Sequence, residues 1–515
     1  MIKAQKTLII VIAALIAALA VAYFAVVKPM VNKVDEVTTE PLETVEGEIA
    51  GANGRYQLFE QVARADMKSI EVTNEHGTFK FVRSEDDSFV IEGAEDTLYS
   101  AELFSQLVVD CGYTLAKTKI GNNITEDLYK YGLDEASSPA SFTVTTLTGK
   151  THKVFVGNRI TTGGGYYARY DGRDSVYVLD TTLAATVLRP IENYVTPLLS
   201  YPTSMNTYFL IENFTVFHGE EVFASFTYLE EDERNPIHTY SAFAMLYPGE
   251  GTYCPSGYLD SALQAFVNFE GSEVVKLAPK DEDLSRYFPD GYPYTVYIVN
   301  NIPKDTSDYT KGYTPVENML LFSELHEDKE GNPYYYCFSP RFNIIAKVND
   351  YTASFLQWDL KMWVNDTIYQ LQIDTVEEIK FVLPDNQTVT FLLDGLGQDL
   401  VVTVKETGFK PMVKNFRQLY KMILSVNKES THNMTDDELK ALLADESSRQ
   451  LTMTVKMRNG TVLEYDCNNY SDRRTYYSIN DVKCDFYVLR TMVKKLGEDV
   501  IRVTKDETVN SEDKY

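Results

Sequence analysis

The sequence predicts an α+β protein: an N-terminal single transmembrane helix, then three similar antiparallel sheet-plus-helix repeats. Three observations carry this expectation. Leu8 to Val27 is an unbroken run of 20 residues with no charge and no proline. Aromatics make up 12% of the chain, with 36 Tyr and 26 Phe against 2 Trp, a bias that suits half-buried strands. A pattern of an acid, then Leu, then Asp six positions on recurs at even spacing: Leu128 to Leu284 is 156 residues and Leu284 to Leu439 is 155.

The apolar run comes first. At about 1.5 Å per residue a helix of this length spans roughly 30 Å, the thickness of a bilayer core. Tyr23 sits near its outer end, where interfacial aromatics are common. Lys3 and Lys6 form a basic leader, and Ala18-Leu19-Ala20 is an A-x-A-like cleavage pattern. The run continues past Ala20, as an uncleaved anchor would; release at Ala20 is the alternative. Lys28 and Lys33 follow the helix, so the positive-inside balance is close to a tie. A short basic tail before a large acidic domain favours the amino terminus inside. The expectation is a bacterial cell-membrane protein that crosses once, through Leu8 to Val27, with its large C-terminal part extracytoplasmic.

Residues 1–29 are thus tail and anchor, and 30–65 an acidic linker. Asp35, Glu36, Glu40, Glu43, Glu46 and Glu48 charge the linker; Pro41, Gly47, Gly51 and Gly54 break regular structure. Three repeats follow at 66–205, 206–370 and 371–515, the last ending in an acidic tail. Each reads as strands, helix, short helix, strands, helix. The opening strands are expected at Ser69–Thr73, Thr78–Arg83 and Ser88–Ile91, at Phe214–Phe217, Val222–Tyr228 and Thr239–Leu246, and at Glu378–Leu383, Thr388–Leu393 and Leu400–Lys405. Helical spacing follows at Tyr99–Cys111, Tyr258–Phe269 and Pro411–Val426. Closing helices are expected at Thr182–Leu188, Thr352–Trp363 and Asp485–Leu496. A tyrosine pair opens one strand of each repeat: Tyr166-Tyr167, Tyr335-Tyr336 and Tyr476-Tyr477. The middle repeat carries an insertion at Asn301–Pro315.

A formal charge of −27 sets the chain against a phosphate backbone and against a purely electrostatic grip on anionic lipid. The five cysteines, Cys111, Cys254, Cys337, Cys467 and Cys484, form no C-x-x-C pair; Cys467 and Cys484 lie on neighbouring expected strands and could meet, or all five are apolar fillers. The six histidines show no helical zinc spacing. The sequence lacks G-x-S-x-G, H-E-x-x-H, a P-loop and G-x-G-x-x-G, and no catalytic, cofactor-binding or metal-ligating residue is assigned. Three weaker features remain. Thr161-Thr162-Gly163-Gly164-Gly165 is a ligand loop or a hairpin turn. Asp281-Glu282-Asp283 is a cation or acid/base cluster, or a helix cap. Tyr334-Tyr335-Tyr336 with Trp358 and Trp363 is a sugar platform or core packing.

Tyr131-Gly132-Leu133-Asp134, then Pro139, Phe142–Leu147, Val154-Phe155-Val156-Gly157-Asn158, Gly165-Tyr166-Tyr167-Ala168-Arg169 and Val176-Tyr177-Val178-Leu179, resemble the signature of the domain-of-unknown-function 4340 family. The resemblance covers about residues 66–200. The later repeats depart from it: Phe288-Pro289 stands where Gly-Leu would, and the last repeat has no Gly-Asn. The resemblance implies a membrane-anchored auxiliary of ABC-type export systems related to gliding-motility transporters, and it carries no catalytic residues. The functional expectation is a non-enzymatic accessory or scaffold, with a permease or another cell-envelope component as partner. A carboxylate-based envelope hydrolase and a ligand-binding protein are the alternatives.

Overall fold

The computed structural model describes residues 42–161, 163–200, 210–234, 241–305 and 307–510. Three mainly antiparallel sheets dominate, of 10, 9 and 8 strands. In the first, eight strands run in chain order Met67–Asn74, Gly77–Arg83, Phe89–Ile91, Leu115–Gly121, Ala140–Thr146, Thr151–Arg159, Tyr166–Tyr170 and Val176–Leu179. The second has Ile211–His218, Glu221–Tyr228, Phe243–Tyr247, Glu273–Leu277, Tyr294–Pro303, Tyr313–Phe322, Pro333–Ser339 and Ile344–Asn349. The third has Val376–Val382, Thr388–Asp394, Val401–Val404, Lys428–Thr431, Arg449–Met457, Val462–Asn469, Arg474–Ile479 and Val482–Leu489. Numbered by position, the lateral order in every sheet is third, second, first, fifth, sixth, seventh, eighth, fourth.

This finding corrects the α+β expectation. Helices are short and few beside the strands, and extended backbone takes segments the sequence assigned to helix. The expected helix Asp485–Leu496 begins as the eighth strand Val482–Leu489, whose Cys484, Phe486 and Val488 alternate inward; the helix is Arg490–Thr504. The expected helix Thr352–Trp363 splits into Ser354–Gln357 and Leu360–Trp363, because Trp358 is extended (φ −69°, ψ 137°) and Asp359 starts a new cap. Among the described residues, no helix is long and apolar enough to cross a membrane. The run Leu8–Val27 lies outside the described residues.

The described residues form two compact units, within Met1–Phe89 plus Glu102–Pro190 and within Val90–Ala101 plus Ile191–Tyr515. In each sheet the segment between the third and fourth strands sets a phenylalanine on the buried face. Phe104 from Ala101–Gly112 packs 4.8 Å from Phe81, Phe266 lies 5.3 Å from Phe214, and Phe416 from Val413–Leu424 lies 5.2 Å from Phe391.

The part of the expected linker that is described is folded. Ile49–Ala50 pairs with Tyr56–Gln57, which pairs with Leu115–Ala116 at the sheet edge. The same arrangement recurs where the chain enters the other sheets. Leu199 donates to Phe269 O (2.8 Å) and Gly271 to Pro197 O (2.8 Å) beside the second sheet's fourth strand. Lys428 donates its N–H to Asp366 O (2.8 Å) beside the third sheet's fourth strand. Each incoming segment is thus a strap over the edge of the sheet it opens, and it satisfies backbone groups that a free edge would expose.

Candidate functional site

The first unit builds a cleft where two of its turns interlock. After the fourth strand the chain makes a helical turn, Leu128–Tyr131, which ends on Gly132 at φ +65°. Such a left-handed terminus favours glycine. The sixth strand meets this turn with a bulge, its register to the seventh slipping between Val156 and Arg159. A Cβ on Gly157 would stand 2.2 Å from Tyr131 O, and one on Gly132 would stand 2.9 Å from Asn158 N. Both glycines therefore let two backbones touch. The bulge leaves Asn158 and Arg159 exposed. The opposite wall is the first hairpin, where Asn74 donates to Val187 O (3.0 Å) and Arg189 O (2.9 Å) at the end of the closing helix. Together with Glu75, Pro139 and Tyr166 these groups line a cleft of about 620 Å³.

The signature residues Gly132, Pro139, Gly157, Asn158 and Tyr166 all lie on this cleft. Residues 112–204 match the family model of a domain of unknown function, DUF4340. The DUF4340 stretch takes in the fourth to eighth strands of the first sheet and its closing helix. It starts later than the resemblance read from the sequence, leaving out the first three strands. No curated protein and no solved structure matches the chain.

The weaker sequence candidates have structural roles. Thr161 to Gly165 joins the sixth and seventh strands as a hairpin loop, of which Thr162 lies outside the described residues. Gly165 packs so closely that a Cβ would stand 2.2 Å from Leu179 O. Asp281, Glu282 and Asp283 open the helix Asp281–Tyr287, and Asp283 accepts the Lys280 N–H at 3.1 Å as a cap. Tyr335 and Trp363 are buried in the core, with Tyr335 donating toward Asp350. The five cysteines are buried and unbridged. Cys467 and Cys484 sit on the sixth and eighth strands with the seventh between them, which corrects the notion that they meet. Burial pushes the Cys467 thiol up to about 12, so it is an inert filler. Among the described residues no group of three or more His, Cys, Asp or Glu is placed to hold a metal ion.

Sequence reasoning missed the charged groups that clamp the straps. Lys119, on the first sheet's fourth strand, meets Glu48 of the strap at 2.5 Å, and both side chains are fully buried. Lys119 also donates to Glu43 O at 3.0 Å. Burial and the neighbouring Glu48 carboxylate push the Tyr177 phenol up to about 12. Lys428, on the third sheet's fourth strand, donates to Val364 O (2.6 Å) and Asp366 (2.9 Å). Beside the first strap, His152 is buried against Phe59, with ring centroids 4.2 Å apart, and its Nδ1 lies 3.0 Å from the Tyr170 hydroxyl. The signal for all of these was only a lysine or histidine in an alternating strand, with its partner far away in sequence.

Proposed function

We propose that this chain is a membrane-anchored, extracytoplasmic scaffold that binds a partner in the bacterial envelope, an ABC-type permease being the partner class the family resemblance suggests. The apolar run Leu8–Val27 supplies the anchor in this reading. One observation supports partner binding most directly: the hairpin of the middle sheet. Its strands, Tyr294–Pro303 and Tyr313–Phe322, are 10 residues each, against 7 and 9 at the same position in the first sheet. The extra length carries a tip at the insertion expected from the sequence. There Tyr309 and Tyr313 stack with ring centroids 6.5 Å apart, and both are exposed. Asp305, held down to about 2 by Lys311 and Ser307, fixes the turn beneath them. Exposed tyrosines give contact area at small entropy cost.

The test is a crosslinked pull-down of full-length protein from native membranes, alongside a variant with Tyr309→Ser and Tyr313→Ser. Recovery of an ABC-type permease or its ATPase, reduced several-fold in the variant, supports the reading. Equal recovery with both proteins removes the hairpin from the interface. Recovery of neither transporter component with a folded, membrane-retained protein overturns the proposal.

A further inference from the structure

We propose that the cleft of the first unit binds a singly charged, hydroxyl-rich small molecule, an acidic sugar being the class that fits. The inference stands apart from the partner-binding reading, which concerns a different sheet. About 620 Å³ falls inside the roughly 300–1,000 Å³ of small-molecule sites.

Two polar side chains at the cleft are unspent. Arg159 has neither an ion pair nor a side-chain hydrogen bond among the described residues, and the Asn158 amide likewise has no partner there. A guanidinium offers a planar fork that matches a carboxylate. An amide beside it offers a donor group and an acceptor group side by side, the pair that adjacent hydroxyls need. Across the cleft Glu75 is an acceptor for further hydroxyls; its side chain is exposed and lies 3.6 Å from the His76 ring. The half-buried Tyr166 gives the apolar face of a sugar ring a surface to lie on.

Charge narrows the class. A chain of net charge −27 repels polyanions, and Arg159 is the cleft's one cation among the described residues. One guanidinium forks onto one ligand carboxylate, and with Glu75 across the cleft no positive charge is left over for a second. Glu75 plus the Asn158 amide then favour hydroxyls over a second anionic group. The glycines explain why the site is held open. Any side chain at Gly132 or Gly157 would push the turn off the bulge and displace Asn158 and Arg159.

The third sheet supplies an internal comparison. Its short helical connection, sixth strand and seventh-strand tyrosine, Tyr476, also border a cleft, of about 290 Å³. There Asp466, Asp481, Asp445 and Glu446 outnumber Arg449 and Lys483. That cleft holds two more acids than cations, whereas Glu75 and Arg159 balance in the first unit's cleft, which is therefore the less hostile of the two to an anion.

The experiment titrates the full chain in detergent with glucuronate, glucose and acetate, read by saturation-transfer NMR. Glucuronate should bind saturably in the millimolar range or tighter, and glucose and acetate each more weakly. Arg159→Gln should weaken glucuronate about tenfold and leave glucose unchanged. Asn158→Ala should weaken glucuronate but not acetate. Both positions are exposed, and unchanged thermal unfolding confirms the fold. Equal binding of glucose and glucuronate, indifference to Arg159→Gln, or no saturable glucuronate binding overturns the proposal.

Discussion

The chain enters the first and third sheets in the same way and fastens itself differently. Both straps cross the fourth strand, and both are gripped by a lysine on that strand. In the first, Lys119 meets Glu48 with neither side chain exposed. In the third, Lys428 is equally buried, but its partner Asp366 is 67% exposed and Val364 O takes part of the load. Burial, the largest influence, pulls the Lys428 ammonium below the usual lysine range, while Asp366 opposes it. Among the described residues the middle strap has no such clamp: Lys276 reaches Asp283 of a following helix instead, at 3.9 Å. A buried pair must be kept whole because either charge left alone is stranded, whereas a pair with one wet partner tolerates loss of that partner.

The largest effect should come from Glu48→Ala. Lys119 would be left charged in the interior, and urea unfolding of the first unit should show a loss of about 3–5 kcal/mol. Replacing both members, Lys119→Met with Glu48→Leu, should recover most of that loss, since an apolar pair of similar volume needs no solvation. A double variant as unstable as the single one would mean that strap geometry, rather than stranded charge, sets the stability. Asp366→Ala should cost below about 1 kcal/mol, because Lys428 keeps Val364 O and water reaches the site. A loss as large as that of Glu48→Ala would erase the distinction between the two straps.

The smallest effect separates the straps by pH. Burial, then Lys150 and Arg173, lower the His152 pKa below 6.5, while Glu60 pulls the other way; Phe59 and Tyr170 pack on the ring. The folded state therefore binds this proton less readily than the unfolded chain. Stability from this group is present above pH 6.5 and falls as pH drops toward the folded-state value. Hydrogen exchange of Leu115–Gly121 should quicken on going from neutral to mildly acidic pH relative to Lys428–Thr431, and His152→Gln should flatten the difference. Equal acid sensitivity of the two edges would show that His152 does not govern the first strap.

Many strands were legible because alternation marks them. Thr78–Arg83 is expected and Gly77–Arg83 is found; Thr388–Leu393 is expected and Thr388–Asp394 is found. The fourth strands were not. Leu115–Gly121 reads LAKTKIG and Lys428–Thr431 reads KEST, polar sequences whose buried lysines are neutralised by residues far along the chain. The eighth strand of the third sheet was hidden for another reason: its apolar residues run without a turn signal into the helix Arg490–Thr504. The cleft was legible only in part. Gly132, Gly157 and Asn158 stood out as a signature, but Thr73–Glu75 and Leu188 join them through tertiary contacts that no local pattern encodes.

The lateral order of the strands also dictates a sequence of events as the chain is made. In every sheet the fourth strand pairs with the eighth. Leu115–Gly121 must therefore await Val176–Leu179, Glu273–Leu277 must await Ile344–Asn349, and Lys428–Thr431 must await Val482–Leu489. At about 5–20 residues per second on a ribosome, each waits a few seconds for that neighbour. The strap, already synthesised, is available throughout. In the finished fold it covers the side of the fourth strand that the eighth does not, so that side has its partner at hand before the eighth strand emerges.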